Sequence, residues 1–121
     1  MMASVPWQLY GLTRCDTCLK AQRWLDAQGV AYTFTDYRAQ PVAPAVLADW
    51  ARRLGGWEKL VNRASTTWRG LDETRKQPAD DAQWLALIAE FPALVRRPVC
   101  VMPTGEVSVG FKEAQWRERL G

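Results

Sequence analysis

Apolar and polar positions change period along the chain, and each change marks a different kind of element. Trp7-Gln8-Leu9-Tyr10 is a short aromatic-rich run closed by Gly11, which predicts a strand. From Asp16 the apolar positions Cys18, Ala21 and Leu25, flanked by Trp24, recur at helical spacing until Gln28-Gly29 supplies a stop. Ala31 to Thr35 then alternates with period two and predicts a second strand, ending near Asp36-Tyr37-Arg38. A short helix between two strands is a βαβ unit, whose right-handed crossover makes the strands parallel.

The pattern turns helical in residues 41–93. After Pro41 and Pro44 come Ala45 to Leu54, a Gly55-Gly56 break, Trp57 to Asn62, and Ala82 to Phe91. Pro78-Ala79-Asp80-Asp81 marks the start of the last of these, with acidic residues favouring a helix N-terminus. No strand signal is present in this stretch. Beyond Phe91-Pro92 lie a helical turn (Ala93 to Val95), a strand (Val99 to Met102), a turn at Pro103-Thr104-Gly105, a strand (Val107 to Val109), and a terminal helix (Glu113 to Leu120). The four-residue connection makes the two strands an antiparallel hairpin. The order β-α-β, helical insert, β-β-α is the thioredoxin-like plan. The expected fold is therefore α/β with a mixed four-stranded sheet. One domain is expected over residues 1–121, with a core at 7–40 and 94–120 and a helical insertion at 41–93.

Composition narrows the function. A chain of 121 residues is long enough to bury roughly 65% of its unfolded surface in one core. No apolar run approaches the ~18 residues of a membrane span, and Met1 to Pro6 lacks the apolar core of a signal peptide. A cytoplasmic location without membrane partners is expected. The net charge is +3, and the basic residues are scattered apart from the doublets Arg52-Arg53 and Arg96-Arg97. That is no footprint for direct nucleic-acid binding; a few arginines around an anion pocket use the charge more economically. The chain has no histidine, which removes Ser-His and Cys-His dyads and Cys/His zinc sites. Three cysteines build neither a disulfide scaffold nor a four-cysteine metal site. Cysteine redox chemistry is what remains, with no metal and no tightly bound cofactor expected and a monomer as the default.

The chemistry centres on Cys15-Asp16-Thr17-Cys18, at the predicted strand-to-helix junction. A thiol at the first turn of a helix meets unpaired backbone N–H groups and the positive end of the helix dipole, which favour the thiolate. Arg14 and Lys20 act in the same direction. Cys15 is the candidate nucleophile. Cys18, one turn on, is either its resolving thiol or a core residue beside Ala21 and Leu25. Cys100, inside a strand, reads as a small apolar filler. Arg97-Pro98 opens that same strand, and in the thioredoxin-like plan this is the slot of a cis proline facing the nucleophile. Arg97 would then sit near Cys15 and bind an anion by bidentate bonds. Arg63 is a second candidate of this kind, or a solvated surface charge. Trp7, Trp24, Trp50 and Trp84 fall on core phases. Trp57 and Trp68 are either packing residues of the insert or a ligand platform.

Three segments carry a resemblance: Leu9 to Ala21 with Cys15-Asp16-Thr17, Trp57 to Glu73 with Thr66-Thr67-Trp68-Arg69, and Leu94 to Val99 with Arg97-Pro98. Together and in this order they resemble the ArsC/Spx family, most closely its YffB-like branch. The resemblance implies a thioredoxin-like fold with a helical insert. It implies reductase chemistry at Cys15, with an anionic substrate held by Arg97 and, in the insert, Arg63, and with Arg14 and Pro98 at the binding surface. The family's third oxyanion arginine has no match, since the chain reads Val109-Gly110-Phe111-Lys112. Implied partners are glutathione as co-substrate, a thiol, disulfide or oxyanion substrate, and glutaredoxin. The Spx branch implies an alternative, a redox-switched regulator that binds the RNA polymerase α-subunit.

Overall fold

Period-two alternation in the strands sends side chains to opposite faces, and helices cover both. In a computed structural model describing residues 5–120, the strands are β1 (Trp7–Gly11), β2 (Tyr32–Asp36), β3 (Val99–Val101) and β4 (Val107–Val109). They form one sheet in the order β2-β1-β3-β4. β1 and β2 are parallel, whereas β3 is antiparallel to both β1 and β4. This is the mixed four-stranded sheet of the thioredoxin-like plan. The sequence features assigned to Met1–Ser4 lie outside the described residues. No helix among the described residues is long and apolar enough to cross a membrane.

One face of the sheet carries Trp7, Leu9, Cys100 and Met102. It packs against α1 (Asp16–Ala27) and α6 (Glu113–Leu120) through Ala21, Trp24, Leu25 and Trp116. The other face, with Tyr10, Val99, Val101, Val107 and Val109, meets the helices between β2 and β3. These are α2 (Pro44–Leu54), α3 (Trp57–Leu60), α4 (Thr66–Arg69) and α5 (Asp81–Glu90). Cys100 and Cys18 are both completely buried, so the filler reading of Cys100 agrees with its position.

Local chemistry sets the helix ends. Pro44 opens α2 and Gly55, at φ 100°, closes it, a backbone conformation that glycine adopts without a Cβ penalty. The Asp80 carboxylate accepts from the Gln83 N–H at 3.0 Å to cap α5. Two features depart from the sequence reading. The helix expected to Asn62 stops at Leu60, because Val61 is extended and pairs with Val95 in an isolated antiparallel bridge. That bridge is fixed by Asn62 N–H to Leu94 O at 2.8 Å and Arg96 N–H to Leu60 O at 2.9 Å. The single-turn helix α4, capped by the Ser65 hydroxyl, was not expected. Trp57 and Trp68 are packing residues, both stacked on Trp84 at centroid distances of 6.1 and 5.7 Å.

Gly11 ends β1 where Cys18 comes closest to the sheet. A Cβ at Gly11 would run into the Cys18 Sγ, while the Phe34 ring would lie at ordinary contact distance. Gly11→Ala is expected to lower the urea unfolding free energy by about 1–3 kcal/mol, the usual cost of overpacking. Adding Cys18→Ala is expected to restore most of it. If the double variant is no more stable than Gly11→Ala alone, this contact does not explain the glycine.

Candidate active site

Cys15 is the N-cap of α1, with extended backbone at φ −87° and ψ 123°, and its carbonyl accepts the first helical bond from Leu19 N–H at 2.9 Å. Its side chain is half-buried. Burial alone would raise its pKa, but it is outweighed by the Cys18 N–H, the Cys18 thiol, the Arg97 guanidinium and the Thr17 N–H. Together these hold the Cys15 thiol below its ordinary value. Cys18 goes the other way. Burial, then the neighbouring Cys15 sulfur, push it up to about 12, although the Leu12 backbone opposes the change. The pair is therefore a thiol whose ionised form is favoured beside one that keeps its proton and can donate it as a hydrogen bond.

Arg97 reaches this sulfur from about eighty residues away in the chain. Its Nη1 donates to the Ala93 carbonyl at 3.0 Å and to the Tyr37 hydroxyl at 3.3 Å. Tyr37 is buried, and its own hydroxyl donates to the Val95 carbonyl at 2.8 Å. Burial disfavours the charge on Arg97, yet Tyr37 and the Cys15 sulfur raise its pKa above that of a free guanidinium. The Arg97-Pro98 bond is cis, as the fold plan predicts. The Pro98 ring, however, is fully buried and lines neither of the clefts described below.

Asp36, next to Tyr37 at the end of β2, ties down the segment that leads to Cys15. One carboxylate oxygen accepts from the Thr13 hydroxyl at 2.6 Å and the Thr13 N–H at 3.0 Å. The other accepts from Arg38 N–H at 2.8 Å and Ala39 N–H at 3.2 Å. The Thr13 bonds, hydroxyl first, bring the Asp36 pKa down to about 2. Neither Asp36 nor Tyr37 stands out in the sequence, where both lie in a polar strand end with no motif spacing to Cys15.

Two clefts meet at Cys15 and Arg97. One, of about 400 Å³, is walled by Lys59, Asn62, Arg96 and Lys112, with Thr17, Val95, Val109 and Gly110. The other, of about 620 Å³, is bordered by Thr13, Arg14, Asp16, Asp36 and Arg38. Arg14 thus lies beside the nucleophile as expected. Arg63 does not line either cleft and is exposed on the turn after α3. The early stop of α3 places Asn62 at the cleft in its stead, with Lys59 one turn before it. Lys112 occupies the wall for which the sequence offers no arginine.

A thioredoxin-like chain whose first helix begins on a lowered-pKa cysteine, facing an arginine where two charged clefts meet, is a cysteine-centred member of that fold. The chain belongs to the ArsC family, whose sequence profile matches residues 10–119. An uncharacterized protein of Haemophilus influenzae is 37% identical over 109 residues, 90% of this chain and 94% of the relative. The solved structure of a YffB protein superposes with a TM-score of 0.84 at 39% identity, covering 95% of this chain and 99% of the other. An arsenate reductase (ArsC) related protein from Brucella melitensis gives a TM-score of 0.74 at 36% identity, covering 99% and 98%. The global transcriptional regulator Spx 1 of Bacillus cereus aligns at 24% identity over 93% of this chain and 85% of its own length.

Ultraviolet titration of the thiolate tests the electrostatics. Wild type should titrate Cys15 below the ordinary thiol value of about 8.5, and Arg97→Ala should move the midpoint upward because a stabilising cation is gone. Tyr37→Phe should move it in the same direction by less. A midpoint that ignores both changes would disprove the contribution assigned to Arg97.

Proposed function

We propose that this protein is a thiol-dependent reductase in which the Cys15 thiolate is the nucleophile and glutathione the reductant. The observation that carries this reading is the lowered-pKa, half-exposed Cys15 facing Arg97 in a cleft whose other charged walls are Lys59, Arg96 and Lys112. Such a site favours an attacking sulfur anion and holds an anionic group on what it attacks. With a disulfide substrate, the Cys15 sulfur bonds to one substrate sulfur and the other leaves as a thiolate. Glutathione then reduces the mixed disulfide and is itself oxidised, so the electron pair comes from outside the protein. An oxyanion would bind in the same cationic cleft. Its charged walls are the guanidinium groups of Arg97 and Arg96 and two lysines; the lysines, one of them standing where the family has a third arginine, lack the arginine fork, which favours a disulfide over arsenate.

Cys18 serves in this scheme as a proton-bearing neighbour that stabilises the Cys15 thiolate. Its complete burial and a pKa near 12 argue against a ready resolving thiol. They argue equally against the regulator reading drawn from the Spx relatives, in which Cys15 and Cys18 would join readily in a disulfide.

A coupled assay with glutathione, glutathione reductase and NADPH is the test, offering hydroxyethyl disulfide and arsenate as alternative oxidants. Cys15→Ser should fall to the uncatalysed rate, and Cys18→Ser should keep turning over at a reduced rate. Full activity in Cys15→Ser, or loss in Cys18→Ser as complete as in Cys15→Ser, would refute this assignment.

A further inference from the structure

The two clefts differ in charge pattern and lie on opposite sides of Cys15. The sheet order β2-β1-β3-β4 puts the Arg14, Asp36 and Arg38 cleft on the β2 side of β1. The Lys59, Arg96 and Lys112 cleft lies on the β4 side. Around the β4-side cleft the charged walls are all cationic. The β2-side cleft alternates sign, with Arg14 and Arg38 against Asp16 and Asp36. Asp36 has all four acceptor positions filled by Thr13, Arg38 and Ala39, which leaves Asp16 as the open carboxylate. Among the described residues neither Arg14 nor Arg38 is in an ion pair, whereas six other cations are.

Exchange at a sulfur needs the incoming and leaving sulfurs in line on opposite sides of it. We infer that the β2-side cleft is the entry site for the reducing thiol, and that it takes a zwitterionic, amino-acid-derived thiol. Arg14 and Arg38 receive its carboxylate and Asp16 its ammonium group. The inference rests on the reductase reading above. After Cys15 has formed a mixed disulfide with the substrate, a thiolate entering from this side attacks the Cys15 Sγ. A new bond joins it to Cys15, the substrate sulfur departs with the electron pair into the cationic cleft, and Arg97, which borders both clefts, steadies that anion. A second thiol of the same class then attacks the sulfur of the first. The two leave as a disulfide and Cys15 returns to the thiolate.

The step can be isolated in a Cys18→Ser background. Ellman's reagent loads Cys15 with thionitrobenzoate, and the coloured anion released on adding a thiol reports attack on the Cys15 sulfur. Reduced glutathione is the zwitterionic probe and 2-mercaptoethanol the neutral one, with rates normalised to thiolate concentration. Arg14→Glu/Arg38→Glu should slow release by glutathione roughly tenfold, the effect of one charge-assisted contact, and release by 2-mercaptoethanol less than about twofold. Lys59→Glu/Lys112→Glu should instead slow loading by the anionic reagent and leave the glutathione preference in place. Equal slowing of both thiols by the Arg14/Arg38 change, or no slowing of either, overturns the inference while the reductase reading stands. Failure of Cys15 to form the adduct at all overturns both.

Discussion

The end of β2 holds the candidate site together, because Asp36 and Tyr37 bind the two segments that meet there. Asp36 clamps Thr13, two residues before Cys15, while Tyr37 takes the Gly11 carbonyl with its N–H at 3.0 Å and holds Val95 and Arg97 with its hydroxyl. Cys15 and Arg97 are brought together across the whole helical insertion, and ordering such distant segments carries a large entropic cost. Pairing β1 with both β2 and β3 brings their ends side by side, and the Asp36-Tyr37 bonds fix the loops that leave those ends. The buried hydroxyl of Tyr37 is fully used, donating to Val95 and accepting from Arg97, which is how a polar group is tolerated in that position.

The same side chain three residues apart behaves in opposite ways. Cys15 sits at a helix N-cap with backbone N–H groups and a guanidinium at hand, so its charged form is solvated by the protein. Cys18 points inward against Gly11 and the β1 backbone, where a second negative charge would have neither water nor a counter-ion of its own. A symmetric-looking motif thus becomes one thiol whose ionised form is favoured and one that keeps its proton. The asymmetry comes from helical phase, since position i+3 of α1 faces the sheet while the N-cap faces the clefts.

Much of this was legible in the sequence because periodicity and capping are local. The strands, α1, α2, α5 and α6 follow from apolar spacing, and the strand-to-helix junction at Cys15 from the position of Gly11 and Asp16. The α4 turn has four residues, too few for a period to show. The Val61–Val95 bridge is a single pair with no alternation around it. Where α3 ends decides which residue meets the cleft, and one residue of phase separates Asn62 from the expected Arg63. Asp36 and Tyr37 were invisible for a different reason. Their importance comes from long-range bonds to Thr13, Val95 and Arg97, and a polar strand end carries no local mark of such partners. Pro98 was read correctly for its bond geometry, but the sequence does not indicate on which side its ring lies.

The central claim is that Cys15 alone is a reactive thiolate in the folded protein. Mass-spectrometric mapping after brief treatment with substoichiometric iodoacetamide at neutral pH measures this directly. The expected result is label on Cys15, with Cys18 and Cys100 unlabelled until the protein is denatured. Comparable labelling of Cys18, or labelling of Cys15 no faster than a free cysteine peptide, would contradict it.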